Sequence, residues 1–383
     1  MDYDHIKIKI SCEMKNGYVW EIRTRILFYI ALCIALVFMM QHSVTWKLPD
    51  FIELLLKYIV LLLSLIRFMA VLPLYTKKEV LFILFFFPII GLIGVKTGNL
   101  NYVFLPFIFG LIAKGLYLKD IIKCYFVFCW ILIVGTFLCC HNMGLLENMV
   151  SFREEKVRNS FGFIYATDFA AHIFYLVLMY FYLRSGKFNL IEIMLFLYSS
   201  FFIANQCDAR LDSICIIMIV FFSIYINLTK GRDCYFSGYK YIFPLCALLI
   251  IFLTYLYSTG DDFILLINFF LSGRLALGFD ALMSKGIPLL GQKYIQYGAG
   301  SGIYYNFIDS SYLVLLIIYG IILFLLVMYV YVRICSHCIS IRNRVLLYVL
   351  FMIAINSMIE QHFMEFAYNP FYMAFSAKLI KST

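Results

Sequence analysis

Arginines in three polar loops, each between long apolar segments, are the side chains of this chain best suited to chemistry. Arg274 stands in the longest loop, in Leu-Ser-Gly-Arg between Ser258 and Ser311. A guanidinium group presents a rigid fork of N–H donors that fits the oxygens of a phosphate. We interpret Arg274 as a phosphate ligand at a membrane face; the alternative is an interfacial arginine that reaches lipid headgroups. Residues 275–284 after it are expected to form a short surface helix.

A second basic group lies in the loop before the sixth apolar segment and consists of Arg153, Lys156 and Arg158. Arg158 is nearest to that segment, and we expect it and Arg153 to contact substrate phosphate while Asn159 shapes the loop and adds to the binding site. Glu154 and Glu155 neutralise part of the positive charge. The alternative is therefore a solvated loop with local ion pairs.

Arg210 occupies the third loop, a very short connection that also contains Asp208. An unpaired charge this close to lipid costs a few kcal/mol if it enters the apolar region. Arg210 either pairs with Asp208 or Asp212 at the interface or joins the other arginines at an anion site. We favour the anion site, because so tight a turn has little need of a charge.

Acidic and imidazole side chains near the same loops could take a proton from a substrate. Asp309 ends the longest loop, and Glu360 and His362 follow the eleventh apolar segment. A carboxylate partly buried among apolar helices has a raised pKa, which suits proton abstraction. Each of the three is a candidate general base, with a helix cap or an interfacial polar residue as the alternative. Asp168 and His172, four residues apart, are expected to form a structural pair inside the bundle.

Motifs for metal, nucleotide or serine chemistry are absent from the sequence. It contains no P-loop, no GxGxxG, no HExxH and no Gly-x-Ser-x-Gly elbow. Cys335 and Cys338 form a lone CxxC, which without a second pair does not indicate zinc. No metal and no cofactor are therefore expected. The net charge of +9 does not indicate nucleic acid, because no basic stripe with interleaved aromatic residues stands clear of the apolar segments.

Apolar segments of membrane-spanning length must hold these loops in place. Hydrophobic residues make up 64% of the 383 residues, charged residues 14%, and the mean hydropathy is +0.92. A segment of roughly 20 apolar residues crosses a hydrocarbon core of about 30 Å, and its backbone must bond within a helix. We predict an all-α polytopic membrane protein with about twelve transmembrane helices, at 26–42, 51–73, 80–96, 100–118, 121–140, 166–183, 189–206, 211–228, 241–258, 311–332, 345–359 and 368–380.

Twelve spans place both termini on one side of the membrane. Most of the 31 Lys and Arg residues then fall on the side of the termini, which the positive-inside rule assigns to the cytoplasm. We predict a cytoplasmic tail over residues 1–25 and a single transmembrane domain over 26–383, including one long outer loop at 259–310. The three arginine loops all fall on the outer side and could converge over one cavity.

Several short motifs, taken in order, resemble those of a known family. They are Arg158-Asn-Ser-Phe-Gly162 leading into a span, Asp208-Ala-Arg210 before a span, Ser272-Gly-Arg274 followed by Pro288-Leu-Leu-Gly291, Asp309-Ser-Ser-Tyr312 with Tyr319-Gly320, and Glu360 with Tyr368-Asn369-Pro370. The order and membrane placement of this set resemble the Wzy group of O-antigen and capsular polysaccharide polymerases. One departure is that Asp-Ala-Arg replaces the small-residue run that is more usual before the middle arginine.

The resemblance implies a metal-independent glycosyltransferase with a GT-C-like fold at the outer face of the bacterial inner membrane. Such enzymes transfer a growing glycan from undecaprenyl pyrophosphate to a new lipid-linked repeat unit. Arginines of the outer loops are the family's suspected substrate contacts, and by motif they correspond to Arg158, Arg274 and Arg210. The implied partners are undecaprenyl-pyrophosphate-linked oligosaccharide and membrane lipid, with a flippase and chain-length regulator proteins as further candidates.

This activity agrees with the residues, because arginines can stabilise a departing pyrophosphate while a nearby base activates a sugar hydroxyl. Two other functions stay open at this point. An O-antigen ligase, which attaches the finished glycan to a different acceptor, has the same chemical requirements. A flippase or other transporter of lipid-linked oligosaccharide would place basic residues within its spans and often shows repeated halves, so we favour the enzyme.

Overall fold

The computed structural model describes residues 24–153, 156–229, 237–298 and 305–380. Most of the predicted tail at 1–25, together with Glu154 and Glu155, lies outside the described residues. The described chain is mostly helical, with one two-stranded sheet. Its helices are α1 (Thr24–Met40), α2 (Asp50–Val71), α3 (Lys77–Thr97), α4 (Leu100–Ile112), α5 (Leu118–His141), α6 (Ala166–Leu183), α7 (Leu190–Gln206), α8 (Arg210–Thr229), α9 (Ile242–Leu256), α10 (Asp262–Phe270), α11 (Arg274–Lys285), α12 (Ser311–Val314), α13 (Gly320–Ser340) and α14 (Arg344–Asn356), and its strands are β1 (Val150–Arg153) and β2 (Lys156–Asn159).

Seven stretches of the described chain are long and apolar enough to cross a membrane. They comprise α2, α3, α5, α6, α8, α9 and the joined α12 and α13, while α1, α4, α7 and α14 are shorter apolar helices. The prediction of an all-α membrane protein is therefore confirmed. The count of about twelve spans and the GT-C-like fold stay predictions.

Helix α6 lies at the centre of the bundle. Of its most apolar stretch, 78% is buried inside the protein, whereas the same fraction is 22% for α2 and 28% for α3. Large apolar side chains on these outer helices, such as Phe51 and Leu81, are exposed on the protein surface. A helix that is apolar on every side is stable only where protein or lipid surrounds it. Protein therefore surrounds α6, and lipid covers much of α2 and α3.

The predicted twelfth span at 368–380 is not an α-helix. Its regular structure consists of the 3₁₀ turn Phe371–Phe375, which follows directly after Pro370. The segment still runs to the opposite end of the bundle, packed against α4 and α13. There the N–H of Lys378 donates to the carbonyl of Leu116 at 2.7 Å, and the side chain of Asn343 donates to the carbonyl of Ile380 at 2.9 Å. Irregular backbone is tolerated at membrane depth where protein surrounds it, and the residues of the 3₁₀ turn are mostly buried.

The long predicted loop at 259–310 contains two helices. Helices α10 and α11 meet at an angle of 107°, and α11 covers the short helix predicted at 275–284. Gly273 makes the corner between them with a φ of 82°, in the left-handed region that favours glycine. The side chain of Asn268 accepts hydrogen bonds from the N–H groups of Leu275 and Ala276 at 3.0 and 3.2 Å. These bonds fix the start of α11, and with it the position of Arg274.

The span formed by α12 and α13 is interrupted at Gly320, where the residues Pro288–Gly291 press against it. Leu315–Tyr319 form a π-helical turn, and Gly320 has a φ of 89°. A methyl group on Gly320 would lie 2.5 Å from the backbone nitrogen of Gly291. The N–H of Ile321 donates to the carbonyl of Pro288 at 3.0 Å. The two motifs Pro288–Gly291 and Tyr319–Gly320, 28 residues apart at their nearest members, are thus one structural unit.

Candidate active site

Two of the three arginine loops line a cavity at one end of the bundle, which we call the basic chamber. The third loop, between α7 and α8, contacts the β1–β2 hairpin. The basic chamber contains about 600 Å³ of empty space. The β1–β2 hairpin, the start of α6, the start of α11 and the segments before α12 and after α14 all contribute to its wall. The charged and imidazole side chains that line it are Arg153, Arg158, Asp168, Arg274, Asp309, Glu360 and His362. Residues from five separate regions of the sequence therefore face one space.

Arg274 is buried at the wall of the basic chamber between two carboxylates. Its Nε lies 3.1 Å from Oδ2 of Asp309, and its Nη2 lies 3.1 Å from Oε1 of Glu360. The side chain of Arg274 is only 15% exposed. The hydroxyl of Ser311, at the start of α12, donates to the carbonyl oxygen of Glu360 and joins the two acidic segments. The guanidinium group is thus fixed in place, with donors left over for a ligand.

Arg158 approaches the chamber from the hairpin and has an unused donor. Arg153 and Lys156 face each other across the hairpin, as do Ser151 and Arg158, so all four side chains share one face. Nε of Arg158 donates to the carbonyl of Cys207 at 2.8 Å. Its Nη2 is buried and has no hydrogen-bond partner among the described residues. Burial and the neighbouring Arg153 lower the pKa of Arg158, so an anion beside it would stabilise its charge.

Asp208 joins the hairpin to the turn between α7 and α8. Its carboxylate lies 3.1 Å from Arg153, 3.7 Å from Lys156 and 3.4 Å from Arg210. Arg210 pairs with Asp208, which was the alternative to the anion site that we favoured from the sequence, and it is not among the described residues that line the basic chamber. Asn159 also lies away from the chamber, bonded to Gln206 at 3.1 Å. For both residues the predicted substrate contact has no support from this geometry.

His362 is buried between acidic side chains. Its Nδ1 lies 3.3 Å from Glu365, and its Nε2 lies 3.9 Å from Asp168. Burial alone would lower the pKa of His362, but the charges of Glu365, Asp168 and Glu360 raise it to about 9. The imidazole is therefore protonated at neutral pH, so it is a poor general base and a good hydrogen-bond donor.

Asp168 has a different environment from the one that its spacing predicted. His172 does not pair with it, because Nε2 of His172 lies 3.2 Å from the hydroxyl of Ser43. Tyr368 stacks between the two imidazoles, with ring centres 3.8 Å from His172 and 4.0 Å from His362. Asp168 instead faces the basic chamber beside His362. Sequence reasoning missed this role, and the only signal was an acidic residue at the helix end nearest an arginine loop.

Folding also changes the environment of Asp309, another of the predicted bases. Burial raises the pKa of Asp309 from 3.8 to about 6, although Arg274 beside it acts in the opposite direction. The carboxylate is therefore largely ionised at neutral pH but protonated in mild acid. Among the described residues, no group of three or more His, Cys, Asp or Glu side chains is arranged to hold a metal ion.

Comparisons of the chain with protein-family models, with curated proteins and with solved structures find no match.

Proposed function

We propose that this protein is a membrane glycosyltransferase that polymerises lipid-linked oligosaccharide repeat units, with the basic chamber as its active site. One observation carries the proposal. Three arginines from two loops face three carboxylates in one cavity at the end of the helical bundle, and the buried Nη2 of Arg158 has neither a hydrogen-bond nor an ion-pair partner among the described residues. A pyrophosphate group supplies the acceptor atoms that this arrangement lacks.

The arginines would act on the leaving group. When a glycan departs from undecaprenyl pyrophosphate, negative charge develops on the phosphate oxygen that loses the sugar. Guanidinium groups held in advance at that position stabilise the transition state more than the ground state. Arg158 and Arg274 are both held, one by the Cys207 carbonyl and the other by two carboxylates. Neither side chain needs to reorganise during the reaction.

The carboxylates would supply the base that activates the acceptor hydroxyl. Glu360 and Asp309 both contact Arg274 and therefore also orient it. His362 fits better as a hydrogen-bond donor than as a base, since its pKa of about 9 keeps it protonated. We place this chemistry at the extracytoplasmic face of the bacterial inner membrane, in agreement with the charge distribution and with the resemblance to the polymerase family.

The test is deletion of the gene in the host, followed by analysis of the surface glycan. A polymerase predicts single repeat units on the surface, restored to long chains by the wild-type gene and not by an Arg158→Ala variant that inserts normally. Lipid-linked polymer that stays unattached would instead identify a ligase. An unchanged glycan would reject both enzymes. A reporter fused at residue 285 should give an extracytoplasmic signal, and a cytoplasmic one would reject the orientation.

A further inference from the structure

A second cavity adjoins the basic chamber, and we call it the neutral chamber. It contains about 1190 Å³ of empty space, roughly twice that of the basic chamber. Four residues line both cavities and form the boundary between them: Tyr165, Asp168, Phe307 and Gln361. A ligand that filled both chambers would therefore pass directly beside the carboxylate of Asp168.

The lining of the neutral chamber differs in kind from that of the basic chamber. No Lys or Arg is among the described residues that line it, and its charged members are the carboxylates of Asp168 and Glu365. Burial lowers the pKa of His42, the imidazole on its wall, which is therefore uncharged at neutral pH. Amide and phenol groups make up most of the other polar surface, including Asn99, Gln296 and Tyr102.

This lining fits a sugar without a negative charge. Carboxylates, amides and phenols accept and donate hydrogen bonds to hydroxyl groups, and aromatic rings cover the apolar faces of a sugar. A phosphate or a uronic acid would instead be buried beside two carboxylates that share a single neighbouring cation, the protonated His362, so that net negative charge would oppose it.

The backbone on the wall of the neutral chamber is irregular. The π-helical turn of the α12–α13 span forms part of the neutral chamber through Ile318 and Tyr319. The side-chain amide of Gln292 donates to the carbonyl of Ile317 at 2.9 Å, and the backbone N–H of Gln292 donates to the carbonyl of Ile318 at 2.8 Å. An interrupted helix at membrane depth persists where the broken backbone is bonded to protein or lines a cavity, and π turns often mark functional sites.

We propose that the neutral chamber binds the acceptor as an uncharged sugar, and that Asp168 is the catalytic base that takes the proton of its attacking hydroxyl. The inference rests on the proposed function and adds a substrate class and a residue to it. The hydroxyl proton moves to the Asp168 carboxylate, and the hydroxyl oxygen bonds to the anomeric carbon of the donor. The bond from that carbon to the pyrophosphate oxygen breaks, its electron pair stays on the pyrophosphate, and the configuration at the carbon inverts.

The position of Asp168 distinguishes it from the other carboxylates. Asp309 and Glu360 each lie 3.1 Å from Arg274, and they are among the described residues that line the basic chamber but not among those that line the neutral chamber. Asp168 lies at the boundary, where a hydroxyl from the neutral chamber meets a sugar carbon next to the arginines. It accepts a bond from the N–H of Tyr165 at 3.3 Å, which orients the carboxylate. His362 lies closer to Glu365 than to Asp168, so Asp168 is the less tightly paired of the two.

The first experiment compares variants of the full-length protein purified in lipid nanodiscs. Asp168→Asn should lower sugar transfer by about 100-fold or more and leave the binding of inorganic pyrophosphate within about twofold of wild type. Arg158→Ala should lose pyrophosphate binding, and Asp120→Asn, a change of an exposed carboxylate on α5, should alter neither. Retained pyrophosphate binding also shows that the Asp168 variant is folded. Wild-type transfer by Asp168→Asn would overturn the catalytic step while leaving the proposed function in place.

The second experiment measures binding without turnover, on an array of glycans with and without uronic acids. Wild type should bind uncharged glycans in preference to uronate-containing ones, and Glu365→Gln should weaken the uncharged binding by about tenfold. The double variant Asp168→Asn with Glu365→Gln should lose the discrimination against uronates. Equal binding of both glycan classes by wild type would overturn the neutral chamber. Selective binding by a protein that transfers no sugar would reject the proposed function and the Asp168 step, but not the sugar site.

Discussion

Two clusters of opposite composition hold the loops at the site, one around Arg274 and one around Asp208. Arg274 is a single cation between two carboxylates, and its side chain is 15% exposed. Asp208 is a single carboxylate among three cations, of which Lys156 and Arg210 are 66% and 60% exposed. The Arg274 cluster therefore has an excess of negative charge in the protein interior, and the Asp208 cluster has an excess of positive charge near the surface.

The difference separates two tasks that the sequence did not distinguish. A buried guanidinium that is paired with two carboxylates is held in one orientation, because breaking either contact would leave an uncompensated charge away from water. Exposed cations around one carboxylate are screened and mobile, and each contributes little alone. The Arg274 cluster is therefore suited to positioning, whereas the Asp208 cluster anchors the hairpin and presents positive charge near the protein surface. Arg158, next to both clusters, has a buried donor with no partner among the described residues, which is therefore available to a ligand.

The largest effect is expected from Arg274→Ala. The change leaves Asp309 and Glu360 buried without their cation, a loss of about 3–5 kcal/mol in the free energy of unfolding, and it should abolish polymer. Thermal unfolding in detergent and glycan chain length are the measurements. Asp208→Asn is the matched change in the other cluster, since Asn tolerates the φ of 50° at this position. If Asp208→Asn destabilised the protein more than Arg274→Ala, the distinction between the clusters would be wrong.

A large effect on activity with a small effect on stability is expected from Arg158→Ala. The substitution removes a donor proposed to contact the pyrophosphate, worth about 100-fold in transfer rate. It also leaves the Cys207 carbonyl without its hydrogen bond, a loss of about 1 kcal/mol. Transfer kinetics and thermal unfolding, measured on the same preparation, separate the effect on activity from the effect on stability. A fall in stability that matches the fall in activity would point to a structural role.

The pH dependence of Asp309 should act on activity and stability with opposite signs. Above a pH of about 6 the ionised carboxylate pairs with Arg274, so activity should rise as the pH increases through this value. The folded pKa is higher than the ordinary 3.8, so the folded state binds this proton more tightly. The corresponding contribution to stability is present below the ordinary pKa and is lost as the pH rises toward 6. Asp309→Asn should flatten both curves in this range; unchanged curves would contradict the assignment.

The smallest effect is expected from Arg210→Ala. Its side chain is 60% exposed, and Asp208 keeps two other cations. Stability should change by less than about 1 kcal/mol, and chain length should remain close to wild type. The Arg158→Ala variant measured in parallel provides the positive control. Loss of polymer in Arg210→Ala would return this residue to the substrate site that its motif predicted.

How far the sequence predicted the site depends on the residue. The arginine-bearing loops were recognisable because charged residues are rare in such an apolar chain, and Arg153, Arg158 and Arg274 do line one cavity. Arg210 also lies in a polar loop between apolar segments, but it is not among the described residues that line the cavity. In a short turn the charge of an arginine can be satisfied locally, here by Asp208. The environment of Asp168 could not be predicted, because His362 reaches it from a segment 194 residues later.

The sequence by itself determined that the protein is a helical membrane protein, since segments of this length and hydrophobicity must satisfy their backbone within helices in lipid. It also determined where charge concentrates along the chain. Only the tertiary structure decided which charges meet. The contacts between charged side chains depend on where helices end and on how irregular segments pack, as at Gly320 and along the residues that follow α14. Local sequence patterns carry no record of such long-range contacts, because their free energy is gained only when distant parts of the chain come together.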